Sequence, residues 1–325
     1  MNKITNNWIQ LSTILYPETT KDLLTLKDKD PTSNNNFAIR NASEKGHTII
    51  VKLLLKDSRI DPSANNNWAI GRASDKGHLE IVKLLLKDKR VDPDAFSNYA
   101  IGNASDKGHL EIVKLLLQDS RVDPSANYND AIRWASYKGH LEVVKLLLQD
   151  SRVDPSDDSN YAIRWASHNG HLEVVKLLLE DSRVDPSTVD NFAIRCASEN
   201  DHLEVVKLLL EDSRVNPSSN NNYAIKHAIK NNNLTIIKLL LKDKRVELCF
   251  NNNFAIIKAK YIDYLAIVKL IEDDKISKEV VKKPISKENL LQPMNSIDSL
   301  KDKYVIKEDL NLESTEEILL NYNKK

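Results

Sequence analysis

Apolar residues follow helical spacing in two neighbouring stretches of the chain, residues 99–107 and 110–117. In the first stretch the recurring apolar residues are mostly alanines, which let a neighbouring helix pack closely. In the second stretch leucine, isoleucine and valine cover more than half of the helix surface, and Glu111 and Lys114 form a polar strip where a weak ion pair is possible. A helix of about nine residues is unstable alone in water, so its stability must come from packing. The pattern predicts a pair of short helices.

A glycine separates the two predicted helices, and a polar loop follows them. Gly108 is placed to take the left-handed conformation that ends a helix. Asp123-Pro124 interrupts the pattern after the second helix, and polar runs such as Asn65-Asn66-Asn67 predict a loop that leads to the next pair. Each unit is therefore predicted to be a helix, a turn, a helix and a projecting loop.

This unit recurs every 31 residues. Its turn glycine marks the series, and the later copies have Asn or Asp, the residue types that tolerate the left-handed conformation next best. The turn positions are Gly46, Gly77, Gly108, Gly139, Gly170, Asp201, Asn232 and Asp263. A period of roughly 20–50 residues is the signature of a solenoid or a propeller. We therefore predict a mainly α-helical solenoid. We number its repeats by their first helices, together with the loop before each, and repeat 1 is the one whose first helix contains Phe37.

The ends of the array depart from this pattern. Residues 1–36 keep parts of it and are predicted to be a degenerate N-terminal capping repeat, followed by seven full repeats over 37–253. Residues 254–274 place Glu272 where earlier copies have leucine, which is typical of a C-terminal capping repeat with a polar outer face. The period is absent from residues 275–325, which we predict to be a charged, disordered tail.

Composition narrows the class of protein. Lysine and arginine total 47 and aspartate and glutamate total 47, so no net charge would attract nucleic acid or an anionic membrane. The two cysteines, Cys196 and Cys249, give neither a disulfide framework nor a zinc quartet and suit a reducing compartment. No signal peptide and no membrane span is evident. We expect a soluble, cytoplasmic monomer.

The recurring segment Gly-His-Leu-Glu-Val-Val-Lys-Leu-Leu-Leu, at 139–148, resembles the ankyrin repeat, and the resemblance covers roughly residues 37–274. Two departures recur. An aromatic-Ala-Ile-Arg sequence such as Tyr161-Ala162-Ile163-Arg164 replaces the family's Thr-Pro-Leu-His, and the loop is shorter. The Asp-Ser-Arg-Val-Asp-Pro-Ser segment is similar to the divergent ankyrin arrays of large DNA viruses of amoebae and of amoebae themselves. A viral origin would place the protein in the cytoplasm of the host cell. The resemblance implies stacked helix pairs and a protein partner.

The array gives little evidence of a phosphate-binding, metal-binding or catalytic site. Of seven glycines, five are the turn column, so no glycine-rich loop could bind a phosphate. Six histidines occupy one column, where a spacing of roughly 8–10 Å between stacked helices prevents them from sharing a zinc ion at about 2 Å. We expect them to bond to the backbone instead. His168 and His171 lie closer together in sequence but lack an evident third ligand. We expect no metal, no cofactor and no enzymatic activity.

Two columns of the first helix vary between copies, and they lie three residues apart on one face. In ankyrin arrays this face lines the concave surface and binds partners together with the loop tips, so the resemblance places the binding site there. Aromatic residues and arginine, which are typical of interface hot spots, are richest in the middle copies. The candidate site residues are Tyr128, Arg133, Trp134, Tyr137, Arg164, Trp165, His168 and Arg195.

Alternatives remain for these residues and for the protein. Trp134 and Trp165 could pack flat between repeats as spacers, and the arginines could form an intramolecular ladder with nearby acids. A second aromatic column, which includes Trp68, Tyr99 and Phe192, is predicted to pack between repeats. We predict a protein-binding scaffold or adaptor. A regulatory protein that masks the surface of a partner, a pure spacer and an enzyme are the alternatives.

Overall fold

The computed structural model describes residues 32–246, which form fourteen α-helices and no β-strand. The first helices of the pairs are α1 Ser33–Glu44, α3 Ala64–Asp75, α5 Ala95–Asp106, α7 Ala126–Lys138, α9 Asp157–His168, α11 Thr188–Glu199 and α13 Ser219–Lys230. The second helices are α2 Thr48–Leu54, α4 Leu79–Leu86, α6 Leu110–Leu117, α8 Leu141–Leu148, α10 Leu172–Leu179, α12 Leu203–Glu211 and α14 Leu234–Lys242.

The helices fall into two compact units that divide between Val215 and Asn216. In the first unit each first helix packs against the first helices before and after it, and the second helices pack along the array in the same way. The second unit contains the pair α13 and α14, which pack against each other. The predicted helix pairs and their solenoid arrangement are confirmed. The predicted C-terminal capping repeat and tail lie outside the described residues, as does the predicted N-terminal capping repeat except for residues 32–36.

The core of each pair comes from the apolar positions that the sequence repeats. In the third repeat, Ala100, Ile101 and Ala104 of α5 and Val113 and Leu116 of α6 are at most 2% exposed. The alanines allow α5 to lie close to α3 and α7. The polar strip of the second helix faces solvent, and its predicted ion pair is present in two other copies, as in Lys83 to Glu80, at 2.7 Å.

A left-handed turn begins every first helix. In α5 the residues Phe96, Ser97 and Asn98 have φ of 56°, 55° and 59°, and the equivalent residues of the other six first helices also have positive φ. Left-handed helical conformation costs roughly 1–2 kcal/mol per ordinary residue, and Asn and Asp tolerate it best. The third residue of the turn is Asn in all seven described copies. The polar run that predicted a loop is therefore an ordered left-handed turn.

The third asparagine of this turn connects successive repeats. The Asn98 Oδ1 atom accepts a hydrogen bond from the Asp123 backbone N–H at 3.1 Å, and Asn129 accepts one from Asp154 at 2.8 Å. The same bond recurs in three more copies. These asparagines are buried, so each Asp-Pro segment is held by the preceding turn.

The histidine column makes a second connection between repeats. The His140 Nε2 atom lies 2.9 Å from the carbonyl oxygen of Asp106, at the end of the preceding first helix, and four other copies have the same bond. The prediction that these histidines bond to the backbone is confirmed. The imidazole also packs against Gly108, where an added Cβ would lie 2.6 Å from the His140 Nδ1 atom. Glycine is required there for this contact as well as for its φ of 73°.

An arginine after each second helix makes a third connection. The Arg121 Nε and Nη2 atoms donate to the two carboxylate oxygens of Asp119 at 2.9 and 2.6 Å, and Nη1 donates to the Val91 carbonyl at 2.7 Å. The hydrogen bond from Arg121 holds the pKa of Asp119 below its usual value. None of these three sets of bonds uses a side chain from the variable columns of the first helix.

Candidate protein-binding surface

Four rings form a continuous row across the first helices of repeats 4 and 5. Trp134 and Tyr137 on α7 have ring centroids 5.7 Å apart, and Tyr137 lies 5.9 Å from Trp165 on α9. Trp165 in turn lies 5.0 Å from His168. All four side chains are half-buried. We call this row, Trp134, Tyr137, Trp165 and His168, the aromatic face.

Trp165 is the centre of a larger group of rings. It contacts Tyr161 and Phe192, each with a centroid distance of 5.6 Å, in addition to Tyr137 and His168. Its ring is tilted by 50° to that of Phe192, and Trp134 is tilted by 60° to Tyr161. The two tryptophans therefore contact rings of the neighbouring repeat at an angle rather than face to face.

The second aromatic column packs between repeats where its members contact rings on adjacent helices. Trp68 and Tyr99 stack with centroids 6.5 Å apart, and Phe192 of repeat 6 packs against Trp165 of repeat 5. Burial raises the pKa of the Tyr161 hydroxyl, which belongs to the same column. Tyr161 and Phe192 of this column contact the tryptophans of the aromatic face.

Two candidate arginines hold the left-handed turns. The Arg164 Nε and Nη2 atoms each donate to a backbone carbonyl at 2.8 Å, those of Ser159 and Asp158. Arg195 donates in the same way to Asp190 at 2.8 Å and to Val189 at 3.1 Å. The Arg164 guanidinium also lies 5.4 Å from the Phe192 ring centroid, and burial lowers its pKa. These donors are engaged within the chain and fix the turn beside the aromatic face.

Arg133 bridges repeats 4 and 5. It pairs with Asp130 on its own helix and with Asp158 of the next repeat, each at 3.1 Å, and its guanidinium lies 4.4 Å from the Tyr161 ring centroid. The predicted pairing of arginines with acids is present at Arg133, and Arg164 and Arg195 donate to backbone carbonyl oxygens.

Tyr128 lies at the tip of its left-handed turn and is 69% exposed. Phe96 and Val189 occupy the turns of repeats 3 and 6, at 69% and 47% exposure. Neither Phe96 nor Val189 was predicted as a site residue, because both lie in the turns and outside the two variable columns of the first helix. An apolar side chain among Asn, Asp and Ser was the signal that could have identified them.

The same columns carry ion pairs in the early repeats. Arg72 pairs with Glu44 of the preceding repeat at 2.5 Å and with Asp75 at 3.0 Å. Asp106 pairs with Lys107 at 2.6 Å. The first-helix face therefore changes from charged to aromatic between repeats 3 and 4.

The described residues give little evidence of a reactive thiol or a metal site. Cys196, in the tryptophan column, is buried, and burial raises its pKa to about 11, so its thiol is protonated and unreactive at neutral pH. Among residues 32–246, no group of three or more histidine, cysteine, aspartate or glutamate side chains could hold a metal ion. No helix within this range is long and apolar enough to cross a membrane.

The fold and the surface together define an α-helical repeat protein. A family model described as ankyrin repeats (3 copies) matches residues 14–97, 101–190, 163–252 and 193–281. The chain therefore belongs to the ankyrin-repeat family, whose repeats are generally protein–protein interaction modules and are typically non-enzymatic. No curated protein matched the chain. The finer similarity to viral and amoebal arrays stays a prediction.

Proposed function

We propose that this protein is a scaffold or adaptor that binds a protein partner through the aromatic face. The observation that carries the proposal is the continuous row of four half-buried rings from Trp134 to His168. Tryptophan, tyrosine and arginine dominate the binding energy of protein interfaces. These rings leave part of their surface in water, where a partner could bury it.

The surroundings of the aromatic face support this proposal. Its support from Tyr161 and Phe192 limits the motion of the central tryptophan, Trp165, so little side-chain entropy remains to be lost on binding. Arg133 and Arg164 hold the adjoining turns in place. The face is thus ordered before a partner arrives. In ankyrin arrays the equivalent face lines the concave surface, which is where partners bind.

The test replaces Trp134 and Tyr137 together by alanine in the full chain. Trp165 is left intact because its removal would disturb four ring contacts. The matched control replaces Asn103 and Asp106, the same two columns one repeat earlier, by alanine. Affinity capture from a lysate of the native host, read by mass spectrometry, should lose its partner with the first variant alone. An unchanged set of captured proteins, with helical content preserved, would contradict the proposal.

A deletion of residues 276–325 separates an adaptor from a protein that only masks its partner. An adaptor should lose a second captured protein and retain the one that depends on Trp134 and Tyr137. If the deletion leaves the captured set unchanged, the tail recruits nothing and the adaptor role is wrong, although binding at the aromatic face would stand.

A further inference from the structure

Three exposed apolar side chains lie in left-handed backbone at the tips of the turns. Phe96, Tyr128 and Val189 have φ of 56°, 59° and 52°. Every other residue at the first two positions of the seven described turns is Asn, Asp or Ser. Apolar residues are therefore exceptions here, in the turns of repeats 3, 4 and 6.

The apolar residues at these three positions destabilise the folded chain. Bulky and β-branched residues are disfavoured at positive φ, where Asn is tolerated, and valine is among the worst. Burial offsets little of this cost, because Phe96 and Tyr128 are 69% exposed and Val189 is 47% exposed. Phe96 gains an edge contact with the Tyr99 ring at 5.7 Å. A partner that buries all three side chains would supply the missing stabilisation.

The charge around these tips is strongly of one sign. The four segments 92–99, 123–130, 154–161 and 185–192, which we call the loop edge, contain nine aspartates and no lysine, arginine or histidine. Arg133, Arg164 and Arg195 reach these turns and leave a net charge of −6. The equivalent segments 61–68 and 216–223 hold one aspartate and none. The acidic segments of repeats 3 to 6 thus include all three apolar tips.

We propose that the loop edge binds a lysine- or arginine-rich segment of a partner protein that also carries apolar side chains. Apolar groups of that segment cover Phe96, Tyr128 and Val189, and its cations face the surrounding aspartates. Charge complementarity of this kind directs specificity and association rate. The inference rests on the proposed function, because it gives the chemistry of a partner for the surface beside the aromatic face.

A synthetic peptide that alternates lysine and leucine is the probe, bound to the full chain and read by fluorescence anisotropy. Two matched peptides, one with glutamate for lysine and one with serine for leucine, should each bind at least tenfold more weakly. Affinity for the lysine–leucine peptide should also fall as salt screens the aspartates. Equal binding of the three peptides would overturn the proposal.

Variants of the chain locate the binding site. Phe96→Asn, Tyr128→Asn and Val189→Asn together should weaken the peptide at least tenfold and raise the melting temperature, because Asn removes the backbone cost. A merely structural role for these residues would lower the melting temperature instead. Asp94→Asn, Asp158→Asn and Asp190→Asn should reduce the salt dependence. The control is Glu111→Gln, Glu142→Gln and Glu173→Gln, which removes as many exposed acids from the second helices and should change little.

The two proposals fail separately. If the tip variants bind the peptide as the unaltered chain does, the loop-edge inference is wrong, whatever the aromatic face binds. If the Trp134 and Tyr137 variant captures the same proteins as the unaltered chain while the tip variants lose the peptide, the proposed function of the aromatic face is wrong and the loop edge stands.

Discussion

Repeats 1 to 3 and repeats 4 to 5 share one backbone and differ on one face. In the early repeats the variable columns form the ion pairs of Arg72 with Glu44 and Asp75. In the later repeats the same columns hold Trp134, Tyr137 and Trp165 in ring contact. Both arrangements lie on first helices that pack in the same way against their neighbours. The chemistry of the face therefore changes along the array while the packing of the first helices stays the same.

The bonds between repeats explain this constant packing. The asparagine, histidine and arginine connections all join a side chain to a backbone group of the adjacent repeat. A backbone partner is present whatever side chain occupies the variable columns. The repeats are therefore held in register by constant residues, and these bonds do not require any particular side chain on the first-helix face.

The largest expected effect tests whether the two regions have the same core. Leu85→Ala in repeat 2 and Leu147→Ala in repeat 4 each leave a cavity at a fully buried position. We expect each to lower the free energy of unfolding by about 2–5 kcal/mol, as buried leucines do, and by similar amounts. Urea denaturation followed by circular dichroism measures both. A markedly larger loss at Leu147 would show that the aromatic face contributes to the core of its repeat.

The next effect tests the contact between glycine and histidine. Gly108→Ala introduces a Cβ at a φ of 73° and 2.6 Å from the His140 Nδ1 atom. We expect a loss of about 1–3 kcal/mol, the usual cost of such backbone strain. Adding His140→Ala should recover part of it, because the clash is relieved and the backbone cost remains. Strict additivity of the two changes in urea denaturation would rule out the contact.

The two residues of this contact occur together in the sequence. Each of the five turn glycines is followed 32 residues later by a histidine, whereas Asp201 is followed at that distance by Asn233. The turn column was predicted from backbone conformation alone, and that prediction is confirmed by the φ of 66° at Asp201. The second reason for glycine, the packed imidazole, needed the distance between two repeats.

Other features could not be predicted because they depend on turn geometry. Three consecutive asparagines, such as Asn65-Asn66-Asn67, fit a flexible loop and a left-handed turn equally well. Asn67 recurs at every repeat, yet its partner, the Asp92 backbone N–H, is 25 residues away and unmarked in sequence. The carbonyl groups that Arg164 binds are likewise brought within reach of its side chain only by the left-handed turn. Helix pairs were predictable because burial imposes a helical period on the apolar residues. The polar residues also recur along the array, but their recurrence does not indicate which backbone group each one binds.

A smaller effect sharpens the comparison between the two regions. Asn103→Trp with Asp106→Tyr places the residue types of repeat 4 on the corresponding positions of repeat 3. We expect the free energy of unfolding to change by less than about 1 kcal/mol, as is usual for surface positions away from caps and core. Asn103→Ala with Asp106→Ala controls for the loss of the ion pair with Lys107. A large loss of stability would mean that the early repeats depend on their charged face.

The smallest effect concerns the pH dependence of the shared scaffold. Burial is the main cause that lowers the pKa of His171 from its ordinary value of 6.5, and the neighbouring His202 and His140 add to it. Its contribution to stability is therefore complete above pH 6.5 and is lost as the pH falls from there through its lower folded pKa. The aspartates paired with arginine, such as Asp150, have pKa values below 3.8, so their contribution is lost only in stronger acid.

Urea midpoints at pH 7.5 and 5.5 should therefore differ slightly, with the lower value at pH 5.5. His171→Asn should reduce this difference, because asparagine does not titrate and occupies the same column at Asn233, where its side chain accepts the Ile236 N–H at 3.0 Å. Tyr137→Phe, on the aromatic face, is the control and should leave the pH dependence unchanged, since His171 bonds to the backbone carbonyl of that residue. If Tyr137→Phe removes the pH dependence and His171→Asn preserves it, the titrating group belongs to the variable face, and the separation between scaffold and binding surface is wrong.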